Sequence, residues 1–405
     1  MKKFAMPVIF LLALLSAMFW ENLLSSTTES FFYAVSLAIK ECIIFALPFI
    51  IFSLIHLSMS KIGADSLKLL VIVVPLICCS NFINTIISYL LGCLCIKADL
   101  ASSVHEITRQ NTSFLTPLFS FSLAKIVSND LALLIGAISG ILCGLIKKRK
   151  KNMQFIEMHD NWLNKLELFI NIFFEILVPL MILFIFGTAL KLKHDGIILS
   201  LLSEYFAITV IFIISAYGYV FLQLFIGSDF KFSKWLYYLK NLLPAIVTGF
   251  GSMSSAAALP LSIQAAEANC EDKNNAAIIV PCSVNVHLVG DCFFIPFIAL
   301  VILFSFGHGL PDFPTYLIFA LYFVIAKFAV AAVPGGGILV MLPILEKHLG
   351  FNADMLGLIT AIYIMFDSFI TGCNVAGNGS FAILFDKIAR AATIFPSGES
   401  RNSEK

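Results

Sequence analysis

Long apolar segments recur along the whole chain, and they restrict its fold more than any other feature. A run of about 20 apolar residues crosses a bilayer as a helix. Only 13% of the residues are charged, whereas soluble domains carry roughly 25%. So few charges cannot cover a water-exposed surface, and the sequence therefore predicts an all-α polytopic membrane protein. The segments are residues 4–20, 31–59, 67–96, 115–146, 164–190, 197–227, 241–264, 276–306, 314–349 and 354–385.

Composition also limits the partners. The net charge of +1 offers nothing that would attract nucleic acid. The ten cysteines mostly lie in apolar segments, as Cys78 and Cys79 do, where thiols behave as small hydrophobic groups. The sequence has no paired-cysteine zinc spacing. We therefore predict no metal site and no cofactor beyond a coupling ion, which is a proton or Na⁺.

The basic residues orient the chain in the membrane. The run Lys147–Lys151 is the strongest cytoplasmic signal under the positive-inside rule, and it puts both termini in the cytoplasm. Segment 4–20 ends in Met18-Phe19-Trp20, without the small residues of a cleavage site, which favours an uncleaved helix. A cleaved signal peptide is the alternative. Residues 397–405 are predicted to form a cytoplasmic tail, and the membrane to be of the bacterial inner type.

Two apolar segments are interrupted by helix-breaking residues. The first interruption lies within 249–264, around Ser254-Ser255, and the second is Val333-Pro-Gly-Gly-Gly337. Lipid cannot satisfy the backbone groups that such breaks leave unpaired, so they are tolerated only inside protein or beside a cavity. Paired breaks indicate the binding site of an inverted-repeat transporter. Close helix contacts between small residues are the simpler alternative.

These motifs together resemble the dicarboxylate/amino acid:cation symporter family, which includes the glutamate transporters. The two breaks are similar to the tips of the family's re-entrant hairpins. The stretch from Asp367 through Thr371 and Asn374 to Asn378 lies where its eighth helix carries binding residues, and 287–291 replaces a conserved stretch of its seventh. The order and spacing match over about 240–385.

The resemblance implies an architecture as well as a function. It implies eight transmembrane helices plus two re-entrant hairpins, arranged as inverted repeats in a homotrimer that works by an elevator mechanism. Residues 1–190 would be mainly scaffold, except that span three (67–96) belongs with the transport domain. Residues 191–396 would be mainly transport domain, containing span six, the hairpins 241–264 and 314–349, and spans seven (276–306) and eight (354–385).

The resemblance also implies the residues that bind substrate. A carboxylate inside a membrane span indicates function in its own right, and in the family the position of Asp367 receives the substrate's amino group. Acidic-substrate members carry an arginine where this chain has Ile370. We therefore predict a small neutral amino acid as substrate. The expected binding residues are Ser254, Ser255, Val333, Gly335, Gly336, Asp367, Thr371 and Asn374.

Coupling should depart from the family pattern. Val289 and Asn378 stand where the family uses sodium-binding aspartates. His287 stands where the family has an asparagine that helps to bind one sodium ion. His287 and Asp291 are four residues apart, so on one helix face they would form a proton relay. Lys327 would lie near another sodium position, where its ammonium would act as a tethered cation. The alternatives are a structural His–Asp contact and a lysine that reaches toward the membrane surface.

The predicted function is therefore secondary active symport by an elevator mechanism, with proton or other non-standard coupling. One alternative is a sodium-coupled symporter of dicarboxylates or acidic amino acids. Another is a channel-like relative that no longer pumps. An intramembrane hydrolase using Ser254 or Ser255 with His287 and Asp367 is disfavoured, because the chain has no Gly-x-Ser-x-Gly motif.

Overall fold

The computed structural model describes residues 5–20, 23–65, 67–97, 115–124, 126–127, 129–149, 153–194, 197–330 and 335–391. Within them the chain is helical and contains no strand, so the prediction of an all-helical protein is confirmed. The helices are α1 (Ala5–Trp20), α2 (Ser26–Asp65), α3 (Leu67–Lys97), α4 (Asn129–Arg149), α5 (Met153–His194), α6 (Ile197–Gly227), α7 (Phe232–Ser252), α8 (Ser255–Asn269), α9 (Lys273–Ser283), α10 (Val289–Ser305), α11 (Phe313–Ala326), α12 (Gly336–Leu349) and α13 (Ala353–Ala391), with a 3₁₀ turn at Lys327–Ala329 after α11.

Several helices have the length and apolarity of membrane spans. Among the described residues these are Ile72–Ile96, Val210–Gly227 and Ala353–Ala391. A fourth is added if Ser26–Ile43 and Pro48–Leu57, which meet at a bend of 44°, count as one span. The chain is therefore an integral membrane protein by composition and helix length.

The segment 115–146 is helical over only part of its predicted length. The helix α4 begins at Asn129, and the described part of 115–124 is irregular. Pro117 disfavours a helical conformation in the residue before it.

Both predicted breaks are present, which confirms that segments 241–264 and 314–349 are not single helices. The helix α7 ends at Ser252, Met253 adopts a left-handed conformation with φ 50°, and α8 begins at Ser255. The second break follows the 3₁₀ turn at Lys327–Ala329 and ends where α12 begins, after Gly335 with φ 74°. Val333 lies outside the described residues.

A third break divides the predicted seventh span. Segment 276–306 consists of α9 and α10, separated by the non-helical residues 284–288. The side chain of Asn81 on α3 pairs with this backbone, since its amide donates to Val286 O at 2.7 Å and its oxygen accepts from Leu288 N at 3.3 Å. A neighbouring helix thus satisfies groups that lipid could not.

The helices pack in two groups. The helix α2 packs most extensively against α4 and α5, and α1 lies against α5. The long helix α13 packs against α6, α7, α8, α9 and α10, while α3 packs against α10. The helix α10 is buried at every position from Val289 to Leu303. The hairpin arms α11 and α12 pack against each other, with α11 also against α3 and α12 also against α13, so this second group carries all three breaks.

Candidate functional site

The carboxylate of Asp367 lies at the tip of the second hairpin. Its Oδ2 accepts from the backbone amide of Gly335 at 2.8 Å, and its Oδ1 accepts from the hydroxyl of Thr371 at 3.0 Å. Thr371 is one helical turn further along α13, so both side chains share a helix face. Asp367 is buried. The tip of the second hairpin is therefore tied to the middle of α13 through one ionisable group.

A second buried carboxylate, Asp291, lies in the first turn of α10. It accepts from the hydroxyl of Tyr363 at 2.7 Å and from the side-chain amide of Asn374 at 3.4 Å. The Nζ atom of Lys327 lies 3.7 Å from its Oδ2. Asp291 is thus the point where α10, α13 and the second hairpin meet.

Lys327 does not reach the protein surface, contrary to the alternative of a lysine at the membrane boundary. Its side chain is fully buried, and Nζ lies 4.5 Å from the centre of the Phe323 ring. Lys327 is the first residue after the last turn of α11. The Phe323 ring and Asp291 both favour a cation at this position.

Asn374 has its own partners inside the protein. Its Oδ1 accepts from the amide of Gly290 at 2.8 Å and from the amide of Asp291 at 3.4 Å. These amides belong to the first turn of α10, so Asn374 caps the helix that follows the third break. The side chain thereby connects α13 to Asp291.

The tip of the first hairpin faces the same region. Ser254 is the N-cap of α8, with its hydroxyl accepting from Ala257 N at 3.3 Å. Ser255 is buried and, with Met253, lines a cavity that also contacts Asp367. The base of this hairpin is closed by Asn269, which accepts from Asn241 at 2.7 Å and donates to Tyr238 O at 3.1 Å. The hairpin is thus held at both ends.

A single small cavity brings the three breaks together. It measures about 20 Å³, which is room for about one water molecule. Two carboxylates face it, and much of the remaining lining is apolar. The lining residues are Met253, Ser255, Val284, Asn285, Leu288, Asp291, Val330, Gly337, Tyr363, Asp367, Thr371 and Asn374.

His287 and Asp291 do not share a helix face, so the geometric basis of the predicted proton relay is wrong. His287 lies in the non-helical segment before α10. Its Nε2 is 2.8 Å from the hydroxyl of Ser80, and its ring stacks on Phe381 with centroids 4.4 Å apart. The break between α9 and α10 removes the four-residue helical spacing. Nor does His287 pair with Ser254 or Ser255, as a hydrolytic triad would require.

The remaining predicted positions lie next to the cavity or within the core. Gly336 is the buried first residue of α12. Asn378 is buried and donates to Asn374 O at 3.0 Å. Ile370 and Val289 are fully buried and are not among the lining residues. No arginine lines the described cavity.

Sequence reasoning did not predict the role of Tyr363. This side chain lines the cavity and holds Asp291. A signal was present, because Tyr363 lies four residues before Asp367 on an apolar helix and so shares its face. Gly337 was also missed: a methyl group there would lie 2.6 Å from Asp291 Oδ1. Only hydrogen therefore fits between α12 and this carboxylate.

Buried charges at the meeting point of broken helices, in a chain with membrane-length apolar helices, define the class of helical membrane transporters. The chain belongs to the sodium:dicarboxylate symporter family, whose model matches residues 185–388. The matched region contains all three breaks and every predicted binding residue. This confirms the family that the motifs indicated.

Two kinds of curated relative share this region. Excitatory amino acid transporter 1 from Rattus norvegicus is 26% identical over 214 residues, and that from Homo sapiens is 24% identical over the same length. These matches cover 52% of this chain and 39% of each relative. The serine/threonine transporter SstT of Streptococcus agalactiae is 23% identical over 151 residues, or 37% of either chain. All of these are transporters by description, in agreement with the expectation that the chain is no enzyme.

Proposed function

We propose that this chain is a secondary active transporter that carries a small neutral amino acid across the membrane. The observation that carries the proposal is the placement of Asp367, a buried carboxylate held by a hairpin-tip amide and facing a cavity between broken helices. Placing a carboxylate inside a membrane span costs free energy, so such a group usually pairs with a cation or another polar partner. The ammonium group of an amino acid is a suitable ligand for it.

The substrate's carboxylate has a separate set of donors. The helices α8 and α12 begin at Ser255 and Gly336, next to the two hairpin tips. A helix N-terminus has unpaired amides and a partial positive charge, and this favours an anion. Ser255 and Gly337 both line the cavity. An amino acid bridging from Asp367 to these helix ends would have both of its charges satisfied.

The charges around the cavity favour a neutral side chain. Asp291 and Asp367 are both acidic, and the nearby cation Lys327 already faces Asp291. A substrate with a second carboxylate would enter a site of like charge without the bidentate arginine that such a group requires. Met253, Leu288 and Val330 offer apolar contacts instead. The description of SstT as a serine/threonine transporter agrees with a neutral substrate.

Coupling is proposed to be non-standard. Val289 and Asn378 supply no carboxylate at the two positions where the resemblance implies sodium-binding aspartates. Lys327 places an amine 3.7 Å from Asp291 near a third position. Its ammonium would take the place of a sodium ion that the family binds from solution. A proton is the preferred coupling ion, with the cavity carboxylates Asp291 and Asp367 as the groups able to accept it.

The proposed architecture is eight spans and two re-entrant hairpins in a homotrimer with an elevator motion. The packing supports this division, because α2 contacts α4 and α5 and α1 contacts α5, while α3 joins the helices that carry the cavity. The cavity of about 20 Å³ must widen to admit an amino acid. A hairpin tip held by the Gly335–Asp367 hydrogen bond is suited to such opening. We further propose cytoplasmic termini and a bacterial-type inner membrane.

Uptake into proteoliposomes tests the proposal and its alternatives. The purified protein would be reconstituted, and Na⁺ and pH gradients imposed separately while radiolabelled serine, alanine, leucine and aspartate are compared. We expect concentrative uptake of a neutral amino acid, driven by the pH gradient. Aspartate outcompeting every neutral amino acid under a Na⁺ gradient would favour the dicarboxylate symporter instead. Equilibration without accumulation under either gradient would favour a channel-like protein.

A further inference from the structure

Three metal-ligating side chains meet in the other group of helices, away from the cavity helices. They are His56 on α2, Cys143 on α4 and His159 on α5. One ligand atom from each lies within 4.8 Å of the other two. We propose that these residues bind one borderline transition-metal ion, for which Zn²⁺ is the appropriate probe. This inference rests on the geometry of α2, α4 and α5 and is independent of the transported substrate.

Close packing of α2 against α4 brings the ligands together. A methyl group on Gly136 would lie 2.9 Å from Phe52 O, and one on Gly140 would lie 2.7 Å from His56 O. Glycines four residues apart let two helix backbones approach, as in small-xxx-small contacts. Cys143 lies three residues after Gly140, on the same side of α4. The glycine contacts thus set the distance between His56 and Cys143.

Two serine hydroxyls fix the ring of His56. Ser139 Oγ lies 2.8 Å from Nδ1, and Ser60 Oγ lies 3.3 Å from Nε2. A neutral imidazole has one N–H and one lone pair. The shorter contact is suited to holding Nδ1–H, which leaves the lone pair on Nε2 free to act as a metal ligand. Hydrogen bonding of one ring nitrogen while the other binds metal is the usual arrangement in metal sites.

The ligand types select the metal. Two imidazoles and one thiolate suit borderline and soft cations such as Zn²⁺, whereas Mg²⁺ and Ca²⁺ require oxygen ligands. Zinc binds nitrogen at about 2.0–2.1 Å and sulfur at about 2.3 Å, so its ligand atoms lie about 3.3–3.8 Å apart. The ligand atoms now lie within 4.8 Å of one another. Side-chain rotations that move each ligand atom by about 1 Å would bring them to the distances that zinc requires. A water molecule or the hydroxyl of Ser60 would complete four-fold coordination.

An aromatic contact and an ion pair hold the side chains and helices around the cluster in place. The Trp162 ring packs edge-on against His56, with centroids 4.6 Å apart. Lys147 and Asp160 are paired at 2.6 Å, joining the end of α4 to the start of α5. Asp160 Oδ1 also lies 3.8 Å from His159 Nδ1. Cys143 is partly exposed, so the cluster is not sealed inside the helix group.

Metal content of the full chain tests the site. The purified protein would be stripped with EDTA, incubated with Zn²⁺, passed through a desalting column and analysed for zinc by mass spectrometry. Cobalt substitution would report on the ligands through thiolate-to-cobalt charge-transfer absorption. The variants would be Cys143→Ser and His159→Gln. The controls would be Cys42→Ser, an exposed thiol on the same helix as His56, and His348→Gln on α12.

We expect one zinc per chain in the natural protein and in both controls, with affinity at least tenfold weaker in each ligand variant. The cobalt charge-transfer band should disappear in Cys143→Ser alone, while weaker cobalt absorption from imidazole ligation remains. Zinc retained equally in Cys143→Ser and in Cys42→Ser would overturn the proposal. So would a protein that retains no zinc after desalting.

Discussion

The ammonium of Lys327 lies 3.7 Å from the carboxylate of Asp291, and both side chains are buried in the centre of the protein. The carboxylate is held in turn by Tyr363 at 2.7 Å. The pair connects the end of α11 to the start of α10, two helices that both border a break. Its charges are opposite, so the pair adds no net charge to the cavity wall. Asp367, by contrast, is held by the Gly335 amide and the Thr371 hydroxyl rather than by a cation.

Removing one member of the Lys327–Asp291 pair should destabilise the folded protein, because the other charge is then buried without a partner of opposite sign. We expect Lys327→Met and Asp291→Asn each to destabilise the protein by about 3–5 kcal/mol. The double variant should lose much less than the sum of the two single losses. Thermal unfolding in detergent would measure this, with exposed Lys347→Met as a control. Strictly additive losses would show that the two charges do not interact.

The tethered-cation hypothesis predicts a change of coupling ion. Lys327→Ser replaces the fixed ammonium with a hydroxyl oxygen, and oxygen is the ligand type that sodium prefers. We expect uptake by this variant to become stimulated by Na⁺. The matched variant Lys327→Met removes the charge without supplying an oxygen, and it should show no stimulation. If Lys327→Ser left transport and its ion dependence unchanged, Lys327 would not be a coupling group.

The close approach of α12 to Asp291 predicts a strong effect of one methyl group. A Cβ on Gly337 would lie 2.6 Å from Asp291 Oδ1 and would also meet the Tyr363 hydroxyl. Gly337→Ala should therefore displace the Tyr363–Asp291 contact and destabilise the site by about 1–3 kcal/mol, as overpacking does. Uptake should fall at least tenfold. Gly357→Ala is the control, since its Cβ would meet only Thr188 Cγ2 at 3.6 Å. Equal uptake by the two variants would argue against a tight α12 contact.

The turn after α6 predicts a pH-dependent contribution to stability. Lys387 and Lys234 both donate to Asp229, and these bonds lower the pKa of its carboxyl from 3.8 to about 2. A lowered folded pKa stabilises the folded state above the unfolded pKa, and the gain is lost as the pH falls from about 4 towards 2.

Asp229→Asn should therefore lower the melting temperature slightly at neutral pH, and the difference should shrink below about pH 4. Asparagine tolerates the left-handed backbone at this position, where φ is 58°, so the change isolates the charge. Melting curves of both proteins between neutral and acidic pH would measure it. A difference that stays constant with pH would mean that the carboxyl charge contributes nothing.

Local sequence signals were sufficient to predict the two hairpin breaks. Gly335 needs a left-handed backbone that glycine adopts without strain, and Ser254 is a natural N-cap residue. Asp367 was predictable because an ionised group in an apolar span demands a partner. Each of these signals depends on a single residue and its immediate neighbours.

The unpredicted features depend on residues that are distant in sequence. The break at 284–288 lies within the segment 276–306 that the sequence predicts as one span, and it is stabilised by Asn81 from another helix. The partners of Asp291 come from α11 and α13, and no spacing rule connects them. The cluster of His56, Cys143 and His159 spans three helices in the same way. Tertiary packing decides these contacts, so they become visible only once the helices are assembled.

The most direct test of the central claim compares the natural protein with Asp367→Asn in the same proteoliposome preparation. The substitution keeps the size of the side chain and removes the negative charge that is proposed to hold the substrate's ammonium group. We predict that concentrative uptake of a neutral amino acid falls by at least a hundredfold, while the variant remains folded by gel filtration. Undiminished uptake by Asp367→Asn would contradict the account, because the cavity would then bind its solute without this carboxylate.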